Sequence, residues 1–322
     1  MTKTPAPQYK QKPPGCQAAT GPRRRLSPVK IGAGVLLAGA GLALGSLVYA
    51  WTATHPRRKR LWQHPSDFGL PCEKVHFRAA DGLRLSGWLI PAPAENDREA
   101  VIVVCHGYPY NRCEMLPHAR FLHEAGFTVL LFDFRAMGES EGDLSTIGHE
   151  EVQDLLGALD YLTRRQDTAH LPVGALGHSL GGAVAIMAAA RDERVRAVVA
   201  EASYPTLQHA LDARCRAFLG PLGPVVAHST RYWASRWFPV KPGEVAPIAE
   251  IRQIGPRAVM IIQGQRDLQV RWKDAVEMYA AAQEPRELWL LRKSGHARCL
   301  RDAPDEYARR VTAFFTAHLR GS

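Results

Sequence analysis

Acidic residues are missing altogether from the first 66 positions, which hold eleven Lys or Arg and no Asp or Glu; the rest of the 322-residue chain carries 30 basic against 31 acidic side chains. The formal charge of +10 therefore belongs to one terminal arm. A nucleic-acid binder carries its basic patch on a folded surface, so this placement argues against nucleic acid as a partner. Cysteine is also scarce, with six residues and neither Cys-x-x-Cys nor His-x-x-x-His spacing. That excludes a disulfide-dense scaffold and the common zinc motifs, and neither a metal nor a cofactor is expected. Buried free thiols and a Cys105 to Cys113 bridge in a translocated domain both remain open. With 46% hydrophobic and 22% charged residues, the composition is that of a globular protein, of one large domain or two small ones.

Charge is absent again from Ile31 to Trp51, twenty-one residues made almost wholly of Gly, Ala, Leu, Val and Ile. As a helix this run extends about 30 Å, the hydrocarbon thickness of a bilayer. Basic residues flank it on both sides, and Tyr49 and Trp51 stand at its end as interfacial aromatics do. We read residues 29–52 as a transmembrane helix, preceded by a disordered basic tail at 1–28 and followed by a basic linker at 53–71. A cleaved leader ending near Ala50 is the alternative, disfavoured by the length of the apolar run. The charges nearest the span lean slightly towards an N-terminus inside and a translocated C-terminal domain. Gly41 and Gly45 form a Gly-x-x-x-Gly pair that would allow a weak homodimer through the anchor helix.

Beyond the linker, short β-rich runs alternate with longer amphipathic ones. Strands are expected at 74–78, 83–90, 101–105, 128–133, 173–177, 197–202, 258–263 and 287–291, and helices at 115–125, 150–165, 180–191, 273–282 and 304–319. This alternation predicts an α/β fold over 72–320, a mostly parallel eight-stranded sheet flanked by helices. The stretch 204–256 breaks it. Long, aromatic and broken by Pro221, Pro224, Pro239, Pro242 and Pro247, it reads as a helical lid insertion, with Phe218, Trp233 and Trp237 among the aromatics offered to a substrate pocket.

The chemistry centres on Gly177-His178-Ser179-Leu180-Gly181-Gly182, where an apolar strand gives way to an Ala-rich helix. Small residues flanking Ser179 suit the sharp turn of a nucleophile elbow. A serine hydroxyl needs a general base held by an acid. Asp267 and His296 follow the last two strands in the required order Ser, acid, His, with Glu201 as the reserve acid. Each then lies at the carboxyl edge of the sheet, as Ser179 does. For the oxyanion formed on attack, the amides of Leu180 and Tyr108 are the candidate donors.

These motifs, with His106-Gly107, Asn111-Arg112 and the run Leu131-Phe132-Asp133-Phe134-Arg135-Ala136-Met137-Gly138-Glu139-Ser140, resemble the alpha/beta-hydrolase superfamily of serine hydrolases. The similarity is greatest to membrane-anchored members grouped as serine aminopeptidase-like or dienelactone-hydrolase-like. Ala136 stands where that family usually has Gly, and Asp133 and Arg135 are expected to be structural. The resemblance implies a membrane-tethered ester hydrolase working through an acyl-enzyme on Ser179, with a small-molecule or lipid-like ester as substrate. A peptidase or acyltransferase on the same triad is the alternative among enzymes. A silent binding module on a membrane stalk is the alternative outside them. A chain beginning near Leu61 is expected to be soluble and still to hydrolyse small esters.

Overall fold

The computed structural model describes residues 1–2 and 28–319. Eight strands form one sheet: β1 (Glu73–Arg78), β2 (Arg84–Ile90), β3 (Val101–Cys105), β4 (Thr128–Phe132), β5 (Val173–His178), β6 (Val195–Glu201), β7 (Ala258–Gly264) and β8 (Arg286–Leu291). Their order across the sheet is β1-β2-β4-β3-β5-β6-β7-β8. β2 runs antiparallel to β1 and β4, and every other neighbouring pair is parallel. Strands β3, β4, β5 and β7 are buried at every position, because crossover helices cover both faces of a parallel sheet and leave no side for polar residues. The edge strand β1 instead keeps four of its six residues exposed.

The helices are α1 (Pro28–Thr54), α2 (Leu116–Glu124), α3 (Glu151–Arg164), α4 (Leu180–Arg191), α5 (Leu207–Leu219), α6 (Gly223–Trp237), α7 (Pro247–Glu250), α8 (Trp272–Ala281), α9 (Cys299–Asp302) and α10 (Pro304–His318). Ten of the twelve residues of α4 are buried, which explains why this segment shows no amphipathic pattern: it is the helix at the centre of one core layer. One core cluster unites β1, β3, β5 and β6 with α3 and α4, and a second unites the opposite face with α2 and α10. Helices α5 to α7 fill the interval between β6 and β7, where the lid insertion was expected. The five described cysteines are all free thiols, so Cys105 and Cys113 are not joined.

The stretch Gly32–Thr54 of α1 is long and apolar enough to cross a membrane. The tail expected at 1–28 lies, over 3–27, outside the described residues. Two compact units divide the chain at Gly41 and Leu42. In the first, residues 32–40 of α1 are exposed throughout. The second, Leu42–Ser322, takes in the C-terminal half of α1 as well as the whole sheet. Within it Ser46, Ala50 and Thr54, spaced four apart on one helical face, are buried. Past the helix, Arg58 donates to the Gly138 carbonyl at 3.3 Å and to those of Ser140 and Gly142, and the Asn111 amide group donates to the Lys59 and Arg60 carbonyls at 3.0 and 3.2 Å.

Candidate active site

Ser179 sits between β5 and α4 with φ +48°, a left-handed conformation that is strained for a residue bearing a Cβ. Its amide donates to the Glu201 carbonyl at 2.8 Å, fixing the turn to β6. The glycines around it have steric work to do. A Cβ on Gly177 would come within 2.2 Å of Gly181, and one on Gly181 within 2.3 Å of the Cys105 carbonyl oxygen. Only bare backbone lets α4 start this close to the ends of β3 and β5.

His296 lies on the loop after β8. Its Nδ1 is 2.7 Å from Asp267 Oδ2; since an ionised carboxylate only accepts, Nδ1 carries the proton and Nε2 of the neutral ring is left as the acceptor. The Asp267 carboxylate follows β7 and is completely buried. It also accepts the Gln269 and Val270 amides at 2.7 and 2.9 Å and the Gln263 side-chain amide at 3.0 Å. These bonds fix its rotamer. Ser179 and His296 face the same cavity of about 730 Å³; among the described residues no hydrogen bond joins them.

Glu201, the reserve acid, is engaged elsewhere. It bonds His178 Nε2 at 2.9 Å and accepts the Cys299 amide at 2.9 Å, so it ties the strand beneath the elbow to the segment just past His296. Burial works against both charges of this pair, and their mutual attraction prevails: the Glu201 carboxyl is held down at about 2 and the His178 imidazole is raised above its ordinary value. His118 packs against His178 with ring centroids 4.6 Å apart, and burial holds it neutral, down at about 3.

Leu180 begins α4, and the first amides of a helix have no partner within it. Tyr108 follows β3, and no hydrogen bond among the described residues takes up its amide. Both residues line the cavity with Ser179. The Tyr108 loop is fixed from two sides. Gly107 gives its amide to Glu114 Oε2 at 2.7 Å, and the Tyr108 phenol, pushed up to about 12 by burial, donates to the Ala53 carbonyl at 2.9 Å. Below it, His106 Nε2 accepts the Phe134 amide at 3.0 Å, so Nδ1 carries the proton donated to the Gly107 carbonyl at 2.8 Å. Burial lowers His106 to about 4 and keeps it neutral.

Two expectations need correction. Phe218, Trp233 and Trp237 do not line the cavity; Phe218 and Trp237 are 74% and 64% exposed, because α5 and α6 turn other residues inward. Leu207, Leu211, Arg214, Thr230, Arg231 and Ala234 are among the lid residues that form the wall. Asp133 and Arg135 are structural without contacting each other. Asp133 receives the Arg112 amide at 2.8 Å and its guanidinium, while Arg135 binds Asp154 at 2.7 Å and Asp81 at 2.8 Å. Ala136, where glycine was noted as usual, adopts φ +60°, so this alanine bears the strain a glycine would avoid. The second correction concerns α1. Tyr49, Ala50, Thr52, Ala53 and Thr54 form part of the cavity wall, a contribution the sequence signalled only through polar residues recurring near the end of an apolar run.

Residues 102–310 match the alpha/beta hydrolase family. The uncharacterized protein YfhR of Escherichia coli (strain K12) is 28% identical over 256 residues, covering 77% of this chain and 81% of that one. Polyketide transferase grgF of a Penicillium species is 24% identical over 267 residues, covering 70% and 90%. Among solved structures, the Pyrococcus furiosus esterase Pf2001 is similar with a TM-score of 0.70 and 25% identity, covering 83% of this chain and 98% of that one.

Proposed function

Because this chain belongs to the alpha/beta hydrolase family, we propose that it is a membrane-tethered serine hydrolase that cleaves carboxylic esters through an acyl-enzyme on Ser179. The observation that carries this reading is the His296 to Asp267 bond of 2.7 Å on the wall of the cavity that Ser179 faces. His296 Nε2 takes the Ser179 proton as Oγ adds to the ester carbonyl, and the amides of Leu180 and Tyr108 receive the oxyanion. The tetrahedral intermediate collapses with loss of the alcohol, protonated by the imidazolium. Water then adds to the acyl-enzyme with His296 as base again, releasing the acid and restoring Ser179.

An ester is favoured over a peptide with a free amino terminus. Among the described residues Glu114 is the one acidic side chain on the cavity wall, against Arg214, Arg231 and Arg298, and a wall with more cations than anions disfavours an ammonium group. Similarity to an esterase supports the same choice. Tethering rests on α1, whose apolar stretch matches a bilayer's thickness. A fluorophosphonate probe should label the purified full chain. Ser179→Ala should abolish labelling and lower turnover of a short p-nitrophenyl ester by about a thousandfold or more, at unchanged melting temperature. Undiminished turnover in that variant overturns the mechanism.

A further inference from the structure

Helices α5 and α6 form a hairpin with two faces of different character. The inner face closes the cavity through Leu211 and Arg214 of α5 and Arg231 and Ala234 of α6, against Tyr49 and Ala50 of α1. Phe238, just past α6, packs on Trp51 with ring centroids 5.9 Å apart. The hairpin is thus built against residues 49–51, where the apolar run of α1 ends. Its turn and outer face leave large apolar side chains uncovered, beside Arg216 and Arg236: Phe218, Leu219, Leu222, Val225, Tyr232 and Trp237 are between 46% and 74% exposed. A soluble domain does not leave so many large apolar side chains together in water. Residues 207–238 also hold four Arg against one Asp. Apolar and aromatic side chains mixed with arginine make up an element that lies in the interface of an anionic bilayer.

Continuity with α1 decides which occupant covers this face. A helix that crosses a bilayer brings whatever packs on its last turns to the headgroup level, so the hairpin's exposed side chains reach lipid without any further partner. We propose that the α5–α6 hairpin is seated in the interface of the bilayer that α1 crosses, and that the Ser179 cavity is filled from that bilayer with the acyl ester of a membrane amphiphile. This deepens the proposed function and rests on it, since it takes α1 to span the membrane and Ser179 to be the nucleophile. The cavity's arrangement agrees with it: α1 forms one wall and the hairpin another, with Arg214 and Arg298 on the lining to meet an anionic headgroup.

The test uses the full chain, with Cys16→Ser and Cys72→Ser, in vesicles of phosphatidylcholine and phosphatidylglycerol. An environment-sensitive fluorophore is attached at Leu222→Cys, at Leu37→Cys in α1, or at Glu287→Cys on the exposed edge of the sheet. Blue-shifted emission at 222, quenched by lipids spin-labelled near the headgroup, supports the proposal, with 287 remaining water-like. Water-like emission at 222 beside a quenched signal at 37 overturns it while leaving the membrane anchor standing. Water-like emission at both 222 and 37 overturns the anchor and the proposal with it. A second arm measures turnover. Phe218→Asp with Leu222→Asp should lower hydrolysis of a vesicle-borne phosphatidylglycerol or other long-chain ester by about tenfold or more, since each buried side chain of this size contributes about that factor to partitioning. Hydrolysis of a short water-soluble ester should be unchanged. Equal rates on the vesicle-borne esters in parent and variant overturn the proposal. Failure of the parent on the short ester faults the catalytic reading instead, and the proposed substrate falls with it.

Discussion

Asp267 and Glu201 stand at the ends of neighbouring strands, both buried, each bonded to a histidine, yet only the first touches a histidine on the cavity wall. Their substitutions should separate accordingly. Asp267→Asn should leave a folded protein whose turnover falls by about 10⁴, through loss of imidazole orientation and of imidazolium stabilisation. Glu201→Gln should cost stability, about 3–5 kcal/mol, because it strips a buried charge of its partner. The pH dependence follows from the two shifts. Glu201 is lowered from 4.5 to about 2, so its contribution is complete above 4.5 and is lost as pH falls through 2; His178 is raised from 6.5, so its contribution is complete below 6.5 and is lost as pH rises through the raised value. The difference in melting temperature between parent and Glu201→Gln should therefore be largest between about pH 4.5 and 6.5. A constant difference from pH 4 to 9 would falsify the charged-pair assignment.

At the scale of elements, the site depends on how closely α4 approaches β3. Gly181 leaves no room for a side chain against the Cys105 and His106 carbonyl oxygens, at 2.3 and 2.7 Å from an added Cβ. Both contacts are backbone, which cannot swing aside as a long side chain does. Gly181→Ala should lower stability by about 1–3 kcal/mol through overpacking. It should also reduce kcat, because the displaced strand end carries Gly107 and Tyr108. Thermal melts and steady-state rates on a short ester check both parts; an unchanged kcat would detach the Tyr108 loop from the catalysis proposed for it.

For the molecule as a whole, the last turn of α1 and the hydrolase domain are not joined by a free linker. Thr54 accepts the Ser145 amide at 2.8 Å, Ala53 accepts the Tyr108 phenol, and Arg58 holds the loop around Gly138 through its carbonyls. The full chain should stay with membranes through alkaline carbonate, since about twenty apolar residues in lipid outweigh surface electrostatics. A chain beginning at Leu61 should be released from the membrane. Contrary to the expectation from sequence, it should hydrolyse even short esters about tenfold or more worse, because one cavity wall and the acceptors that position Tyr108 are gone. Wild-type rates from that shortened chain would show that the wall is dispensable for short substrates.

The sheet, the elbow and the chain order of Ser179, Asp267 and His296 could all be read from the residues alone. Strand and helix periods are local, the glycines of a strained turn are stereochemical necessities, and loops after parallel strands all emerge at one edge. Even the pairing of His296 with Asp267 and not Glu201 was legible, from the place of Asp267 on a loop beyond its strand. The lid was legible only as an interruption. Which of its aromatics face inward depends on how two helices rotate against neighbours distant in sequence, and Phe218 and Trp237 turned outward. Tertiary structure alone decided that residues 49–54 wall the cavity. A hydrophobic run specifies that it will leave water, by its length and composition, but not which of its last polar side chains will meet a partner more than fifty residues away.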